Sequence, residues 1–356
     1  MRPRARALPI SLDGATGAHN AITDVPGVEV GYVTLTEGTA RTGVTAILPR
    51  GRDGVGTPCA AGVHSLNGNG EMTGVTWIEE SGALTLPVTI TNTHAVGTVH
   101  RGVIDWVADK HPALAEEWLL PVVAETWDGY LNDINAPHVR PEHAGQAIDA
   151  AAGGTPAEGS VGGGTGMNCY GFKGGSGTSS RVVEYVDRSY TVGAFVQANF
   201  GSRAELTVAG NRVGPALMDD NPMAARTREG AGSVIVVVAT DAPLLPGQCK
   251  ALARRVPLGL ARTGTTGSHF SGDIFLAFST ANEGALTSGF AAGEDYEALR
   301  FVPWGRMDRF YDAVVQAVEE AVLNALTAAE DTVGRDGHRS PGLPLERLTD
   351  LLTRAS

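Results

Sequence analysis

Short apolar runs alternate with glycine-rich connectors along most of the chain. Runs of about four to eight residues that are rich in Val, Ile, Thr and aromatic side chains are typical of β-strands. Apolar residues that recur every three or four positions indicate helices instead. The pattern predicts strands at Gly43–Leu48, Val75–Ile78, Leu86–Thr91, Arg181–Val186, Tyr190–Ala198, Ser233–Thr240 and Asp273–Ser279, and helices at Gly97–Asp109, Glu142–Ala152, Pro246–Thr263 and Asp308–Ala329.

Two of the predicted strands lack any alternation between apolar and polar positions. Val234–Val238 and Ile274–Phe278 are apolar throughout, which is typical of strands that are covered on both faces. In the last predicted helix the apolar residues form one stripe, which suits a helix that lies on a sheet. The sequence therefore predicts an α/β fold in which helices and sheets are layered.

Composition narrows the class of protein. Glycine supplies 47 of the 356 residues, about 13% where about 7% is usual, yet 42% of the residues are hydrophobic. This combination excludes a collagen and a disordered chain. The net charge is −12, and only Lys110, Lys173 and Lys250 are lysines. A nucleic-acid partner is not expected, because such binding needs concentrated positive surface.

The cysteines and the apolar segments indicate the compartment. Three widely spaced cysteines form no C-x-x-C pair and are expected to be buried free thiols: Cys59, Cys169 and Cys249. The basic start of the chain is not followed by the apolar segment of a signal peptide. No run approaches the length that a membrane span needs. We expect a cytoplasmic protein without a membrane partner.

Most patterns that glycine-rich loops suggest do not fit. Lys173 is followed by glycine rather than Ser or Thr, and Gly68–Gly74 misses the dinucleotide-binding spacing by one residue. The nine histidines form no H-E-x-x-H pair, and no serine is centred in G-x-S-x-G. No cofactor and no metal site is expected. Four polar residues that lack the calcium-loop spacing are expected to cap turns instead: Asp128, Asn132, Asp133 and Asn135.

One junction permits two interpretations. Gly232–Ser233 follows a glycine-rich segment and opens the apolar run Val234–Val238. It can be an ordinary loop that ends at a strand. It can also be a site of self-cleavage, in which Ser233 Oγ attacks the carbonyl of Gly232 and water releases a new chain that begins at Ser233. The freed α-amine, with a pKa near about 8, could then act as the general base for its own hydroxyl.

A resemblance to one family favours self-cleavage over an ordinary loop. It rests on nine segments that occur in the same order as in the family, between about Leu12 and Asn282. This family is the DmpA-type family of self-processing L-aminopeptidases with D-amidase and D-esterase activity, which includes the β-peptidyl aminopeptidases. The segments are Thr42–Arg50, Ser65–Met72, Trp77–Ser81, Thr91–His94, Gly162–Gly166, Gln197–Gly201, Gly232–Ser233 with its strand, Ala239–Pro246 and Ser271–Ser279.

The resemblance implies a four-layer α-β-β-α sandwich, similar in layout to the N-terminal-nucleophile hydrolases. It implies a single catalytic domain over residues 1–356 that cuts itself into residues 1–232 and 233–356. The two chains are expected to stay associated and to form homotetramers of cut protomers. The expected substrate is a short peptide, amide or ester with a free amine, and no cofactor is implied.

The resemblance also implies roles for individual residues. Ser233 matches the nucleophile of the family, and Gly232 precedes the cut. Asn199 matches the residue that supports the oxyanion. Ser271 and Asp273 match a serine and an acidic residue that orient the nucleophile and its amine.

Two more residues match positions that contact the substrate. Glu125 matches an acidic residue close to the substrate amine. Trp127 stands where the family usually has tyrosine, and an indole offers only an N–H donor where tyrosine has a hydroxyl. This departure is expected to alter substrate preference more than reaction class. Two other functions stay open: acyl transfer to an amine instead of water, and a non-catalytic protein that binds a small amine.

Overall fold

The computed structural model describes residues 2–222, 224, 232–289 and 295–355. Its two main sheets contain ten strands: β1 (Glu29–Leu35), β2 (Thr42–Leu48), β3 (Cys59–Ser65), β4 (Ala83–Leu84), β5 (Val88–Asn92), β6 (Val122–Thr126), β7 (Gly175–Tyr185), β8 (Arg188–Asn199), β9 (Gly232–Thr240) and β10 (Ser271–Ser279). The α-helices are α1 (Val75–Ser81), α2 (Val96–Lys110), α3 (Pro141–Asp149), α4 (Pro246–Ala253), α5 (Val256–Arg262), α6 (Asp308–Ala328) and α7 (Leu345–Ala355).

The strands form one sheet of four and one of six. The smaller sheet has the order β1-β2-β5-β6, and its last two strands are parallel. The larger sheet has the order β4-β3-β10-β9-β8-β7. In that sheet β9 and β10 are parallel, whereas β8 runs antiparallel to β9. The end of β8 therefore lies beside the beginnings of β9 and β10.

Three apolar layers separate four layers of secondary structure. One core lies between the two sheets and includes Ile47, Ile90 and Ile235. A second lies between the larger sheet and helices α4 to α6, and a third between the smaller sheet and helices α2 and α3. The order is helix, sheet, sheet, helix, which confirms the predicted α-β-β-α sandwich.

The apolar pattern correctly located the central strands. Every residue from Val234 to Val238 is 0% exposed, because β9 has a sheet neighbour on each side and an apolar layer on each face. The stripe of α6 is buried on the larger sheet, as the periodicity predicted. The cysteines are free and buried, also as predicted. Among the described residues, no helix has both the length and the apolar character that a membrane span needs.

Two predicted elements were wrong. Val75–Ile78 is not a strand but the first turn of α1, which lies between two left-handed glycines: Gly74 with φ +74° and Gly82 with φ +72°. Only Ile78 of this helix is buried, so its β-branched residues gave a misleading signal. The predicted helix Pro246–Thr263 is two helices, α4 and α5, because Pro257 has no N–H to continue a hydrogen-bonded helix.

Candidate active site

Three strand ends bring the predicted catalytic residues to one place. Asn199 ends β8 and lies opposite Ser233, the second residue of β9. On the other side of β9, Ser233 is level with Gly272, between Ser271 and Asp273 at the start of β10. The site thus follows from strand order, since an antiparallel neighbour presents its last residue where two parallel strands present their first.

Ser233 is 1% exposed, and its Oγ accepts a hydrogen bond from the backbone N–H of Trp127 at 3.2 Å. The residue before it has to be small. A Cβ placed on Gly232 would lie 1.9 Å from the carbonyl oxygen of Asn199, far inside any permitted contact. Glycine at position 232 is therefore required by the close approach of β8.

The amide of Asn199 is fixed at both ends. Its Oδ1 accepts the backbone N–H of Asn168 at 2.8 Å, and its Nδ2 donates to the carbonyl of Trp127 at 2.9 Å. The peptide groups of residue 127 thus bridge Asn199 and Ser233. Because Oδ1 is already bonded to an N–H, the amide keeps its N–H donors on the side of the nucleophile.

The second pair of predicted residues forms its own hydrogen-bonded group beside Ser233. Ser271 Oγ donates to Asp273 Oδ1 at 2.5 Å, and Asn67 Nδ2 donates to Asp273 Oδ2 at 2.7 Å. Burial raises the pKa of Asp273, while these two hydrogen bonds and the backbone N–H of Val234 lower it. Each oxygen of this buried carboxyl therefore has a donor that favours the ionised form.

Glu125 lies on the other sheet, at the end of β6, and is 2% exposed. Its carboxyl accepts hydrogen bonds from the backbone N–H of Glu71, at 3.1 Å, and from the hydroxyl of Thr93. Burial raises its pKa, and both hydrogen bonds oppose that shift. Within the described residues, no hydrogen bond joins Glu125 to Ser233. A Cβ on Gly70 would lie 2.9 Å from Gly272 Cα and 3.1 Å from Glu125 Oε1, so Glu125 lies near the start of β10.

Trp127 is 38% exposed. Its indole lies against Gly129, where a Cβ would come within 2.5 Å of the ring atom Cζ2. Its hydrogen bonds to Ser233 and Asn199 are made by the backbone. They do not depend on the side chain, so a tryptophan in place of tyrosine leaves these two contacts intact.

A buried lysine supports the segment that holds Asn199. Lys173 is fully buried, and its Nζ donates to the carbonyls of Gly164, Met167 and Gly174 at 3.3, 3.0 and 2.9 Å. Burial lowers its pKa to about 7. In the sequence this lysine appears only as a candidate phosphate ligand, because a tight turn that encloses the end of a lysine side chain leaves no periodic signal.

The similarity to known proteins extends over nearly the whole chain. Residues 20–340 match the profile of peptidase family S58. The chain belongs to peptidase family S58.

Members of family S58 and solved structures resemble the whole chain. It is 49% identical over 373 residues to the beta-peptidyl aminopeptidase BapA of Sphingosinicella microcystinivorans. This match covers 99% of this chain and 92% of the relative. The L-aminopeptidase D-Ala-esterase/amidase of Ochrobactrum anthropi has a TM-score of 0.94 and 46% identity, with 99% of both chains covered. A beta-aminopeptidase of Burkholderia sp. has a TM-score of 0.90 and 47% identity, again with 99% of both chains covered.

These matches confirm the family and the fold that the sequence motifs indicated. The protein is an enzyme, an aminopeptidase of family S58 with the N-terminal-nucleophile hydrolase fold. Sequence reasoning missed Asn67 and Asn168 as contributors to the site. Asn67 lies within the resembling segment Ser65–Met72, but its residue type does not reveal that its side chain contacts Asp273. Asn168 acts through its backbone, which no residue pattern reveals.

Proposed function

We propose that the chain cuts its own Gly232–Ser233 bond and then uses Ser233 as the nucleophile of an aminopeptidase. The observation that carries the proposal is the position of Ser233 Oγ, buried at the start of β9 between Asn199 and the Ser271–Asp273 pair. In self-cleavage Oγ attacks the carbonyl carbon of Gly232, the C–N bond breaks, and an ester forms. Water then hydrolyses the ester, which leaves a carboxyl on Gly232 and a free amine on Ser233.

The same groups serve the reaction with substrate. The new α-amine takes the proton of Oγ as Oγ attacks the substrate carbonyl, and the resulting oxyanion needs a donor. Asn199 Nδ2 supplies it by exchanging the carbonyl of Trp127 for the oxyanion. When this intermediate collapses, the bond to the leaving amine or alcohol breaks, and the leaving group takes the proton from the α-amine. The acyl group then resides on Ser233 until water, attacking its ester carbonyl, releases it and returns the hydroxyl to Ser233. The hydroxyl of Ser271 and the carboxylate of Asp273 orient the amine and the nucleophile.

Glu125 is proposed to bind the free amine of the substrate. Its two hydrogen bonds favour an anion in a buried place, and a buried anion attracts an ammonium group strongly. Trp127, partly exposed beside the nucleophile, contacts the acyl side chain. The substrate class is a short peptide, amide or ester with a free amine at its acyl end.

The proposed domain organisation is one catalytic domain of two chains, residues 1–232 and 233–356, that stay together. Strand β8 of the first chain pairs with β9 of the second along its length, and α6 of the second packs on β7 and β8 of the first. We also infer a cytoplasmic protein that assembles as a homotetramer of cut protomers. The free, buried thiols fit a reducing compartment.

A denaturing gel with N-terminal sequencing tests the proposal. Wild type is expected to give two fragments, of 232 and 124 residues, the smaller one beginning at Ser233. Ser233→Ala is expected to stay at 36.9 kDa and to be inactive on aminoacyl p-nitroanilides. Ser202→Ala, in the nearby Gly201–Ser202 pair, serves as the control and should cut normally. An intact wild-type chain in freshly prepared, folded protein would contradict the mechanism.

The same preparation separates hydrolysis from acyl transfer. With a panel of α- and β-aminoacyl p-nitroanilides of both configurations, the main product in water is expected to be the free amino acid. If an added amine acceptor captured most of the acyl group even at low concentration, the enzyme would be a transferase instead.

A further inference from the structure

The loop that follows β3 reaches the carboxyl of Asp273 through one side chain. Asn67 Nδ2 donates to Asp273 Oδ2 at 2.7 Å and also to the carbonyl of Ser268 at 3.1 Å. Asp273 is only 4% exposed, so its carboxyl depends on protein donors rather than on water. One of its oxygens is bonded to Ser271 and the other to Asn67.

The loop is held firmly enough to keep Asn67 in place. Ser65 Oγ donates to the carbonyl of Asn67 at 2.9 Å, and the backbone N–H of Leu66 donates to the carbonyl of Asp273 at 2.9 Å. Two residues on, Asn69 Nδ2 donates to the carbonyl of Phe270 at 3.0 Å. The loop is thus bonded to the chain on both sides of Gly272, the residue level with Ser233.

We propose that Asn67 is a positioning residue for the chemistry at Ser233: its amide fixes the Asp273 carboxylate so that Ser271 can donate to the other oxygen. The inference rests on the proposed function, since it assigns Asn67 a role in the same reaction. Without Asn67, the carboxylate can rotate about its side-chain bonds, and the orientation of Ser271 is lost with it.

The electrostatic consequence has a definite sign. Burial raises the pKa of Asp273 and the hydrogen bond from Asn67 lowers it, so removal of the amide raises this pKa further. A larger fraction of Asp273 is then protonated at a given pH. The protonated form would donate a hydrogen bond where the ionised form accepts one, and the bond from Ser271 would be weakened.

Other ionisable groups on the packed elements do not account for this shift. His64 on β3 is level with Phe275 of β10, His269 precedes β10, and Glu125 on β6 is bonded to the backbone N–H of Glu71. In the part of the chain that the structure describes, burial and hydrogen bonds rather than these charges set the pKa of Asp273. The remaining group is the α-amine of Ser233, which would exist only after self-cleavage.

Self-cleavage of newly made precursor therefore isolates the effect of Asn67 on the pKa of Asp273, because the α-amine of Ser233 does not exist before the cut. The experiment follows the full chain in cell-free synthesis and measures the rate of cutting on gels between pH 5.5 and 9. Asn67→Leu removes the donor at similar volume, and Asn67→Ala removes it with less bulk. Asn69→Leu is the matched control, since it removes an amide donor of the same loop that does not contact Asp273.

For Asn67→Leu we expect the acidic limb of the cutting rate to move up by about one pH unit, so that the rate falls by up to about tenfold on that limb and changes least at pH 9. Asn69→Leu should stay within about twofold of wild type at every pH. Equal losses at all pH values, or equal profiles for the two asparagines, would overturn the proposal.

Folding and the underlying reaction have separate readouts. Circular dichroism reports whether each variant folds. If both variants of Asn67 failed to fold while the control folded, the role of Asn67 would be structural and the proposal wrong. If wild type itself did not cut, the proposed function would fail, whereas cutting by wild type with no change in the Asn67 variants would defeat only this inference.

Discussion

Gly272 is the point where a small change should disturb the site without touching a reacting group. A Cβ at this position would lie 2.4 Å from the carbonyl oxygen of Asn69 and 2.6 Å from Gly70 Cα. Non-bonded carbon atoms are comfortable at about 3.5 Å or more. In Gly272→Ala the loop would therefore have to withdraw by roughly 1 Å from the start of β10.

Such a withdrawal breaks two hydrogen bonds. The bonds from Asn67 to Asp273, at 2.7 Å, and from Asn69 to Phe270, at 3.0 Å, would lengthen to about 3.7 and 4.0 Å, beyond bonding range. A hydrogen bond between neutral groups contributes about 1 kcal/mol to the free energy of unfolding, and a hydrogen bond to a charged group contributes about 1.5–3 kcal/mol. Gly272→Ala should thus reduce the free energy of unfolding by about 2–4 kcal/mol.

Thermal unfolding measures this loss. With an unfolding entropy of about 2.1 cal/mol/K per residue, a chain of this length should lose about 3–5 °C in Tm. Gly68→Ala is the control in the same loop, because a Cβ there meets nothing within 4 Å, and it should shift the Tm by less than about 1 °C. An unchanged Tm in Gly272→Ala would refute the close packing of the loop, and equal losses in both variants would assign the effect to the loop backbone instead.

Two further variants test buried charges. Because burial lowers the pKa of Lys173 to about 7, against 10.5 when unfolded, the unfolded chain binds more protons between these pH values, and this lysine makes stability rise with pH there. Lys173→Met should remove that rise, so its urea midpoint should increase less between pH 7 and pH 10 than the midpoint of wild type does. An equal change of midpoint in the two proteins would contradict the argument. The carboxyl of Glu320 is fully buried and bonds Arg181 at 2.7 Å, so Glu320→Gln leaves a buried guanidinium without its charge partner and should cost about 3–5 kcal/mol in urea unfolding. Glu319→Gln, whose partner Arg262 is 44% exposed, should cost less than about 1 kcal/mol; similar losses would contradict the argument.

The layers of the fold could be predicted because burial leaves a local pattern. Unbroken apolar runs identified β9 and β10 as central strands, and one apolar stripe placed α6 on a sheet. Strands β1, β3, β4 and β6 escaped prediction. Strand β3 contains Ala60, Ala61 and Gly62 and has Val63 as its one β-branched residue, so it gives a weak strand signal. Gly62 is needed there because a Cβ would lie 2.4 Å from the backbone of α4. Packing of this kind depends on a partner that the local sequence does not show.

The site was predictable to a different extent. The resemblance singled out Gly232–Ser233 and residues on the adjoining strands as candidates, and the fold brings these candidates together. The supporting contacts were not predictable. Asn199 is held by a backbone N–H and Ser233 is bonded by another, and any residue other than proline can supply such a group. Their positions depend on the turn around Lys173 and on the end of β6, which only the folded chain brings together.

The proposed cut separates two strands that remain hydrogen-bonded to each other. Strand β9 pairs with β8 from Val192 opposite Thr240 to Asn199 opposite Ser233, so the bond that would break lies at the edge of an intact ladder. The apolar layer between the larger sheet and α6 contains residues from both sides of the cut, such as Val196 and Val322. Cleavage therefore removes a covalent connection but none of the burial that stabilises the sandwich. A new amine can form beside a nucleophile that is 1% exposed because the surrounding fold does not need the bond that is broken.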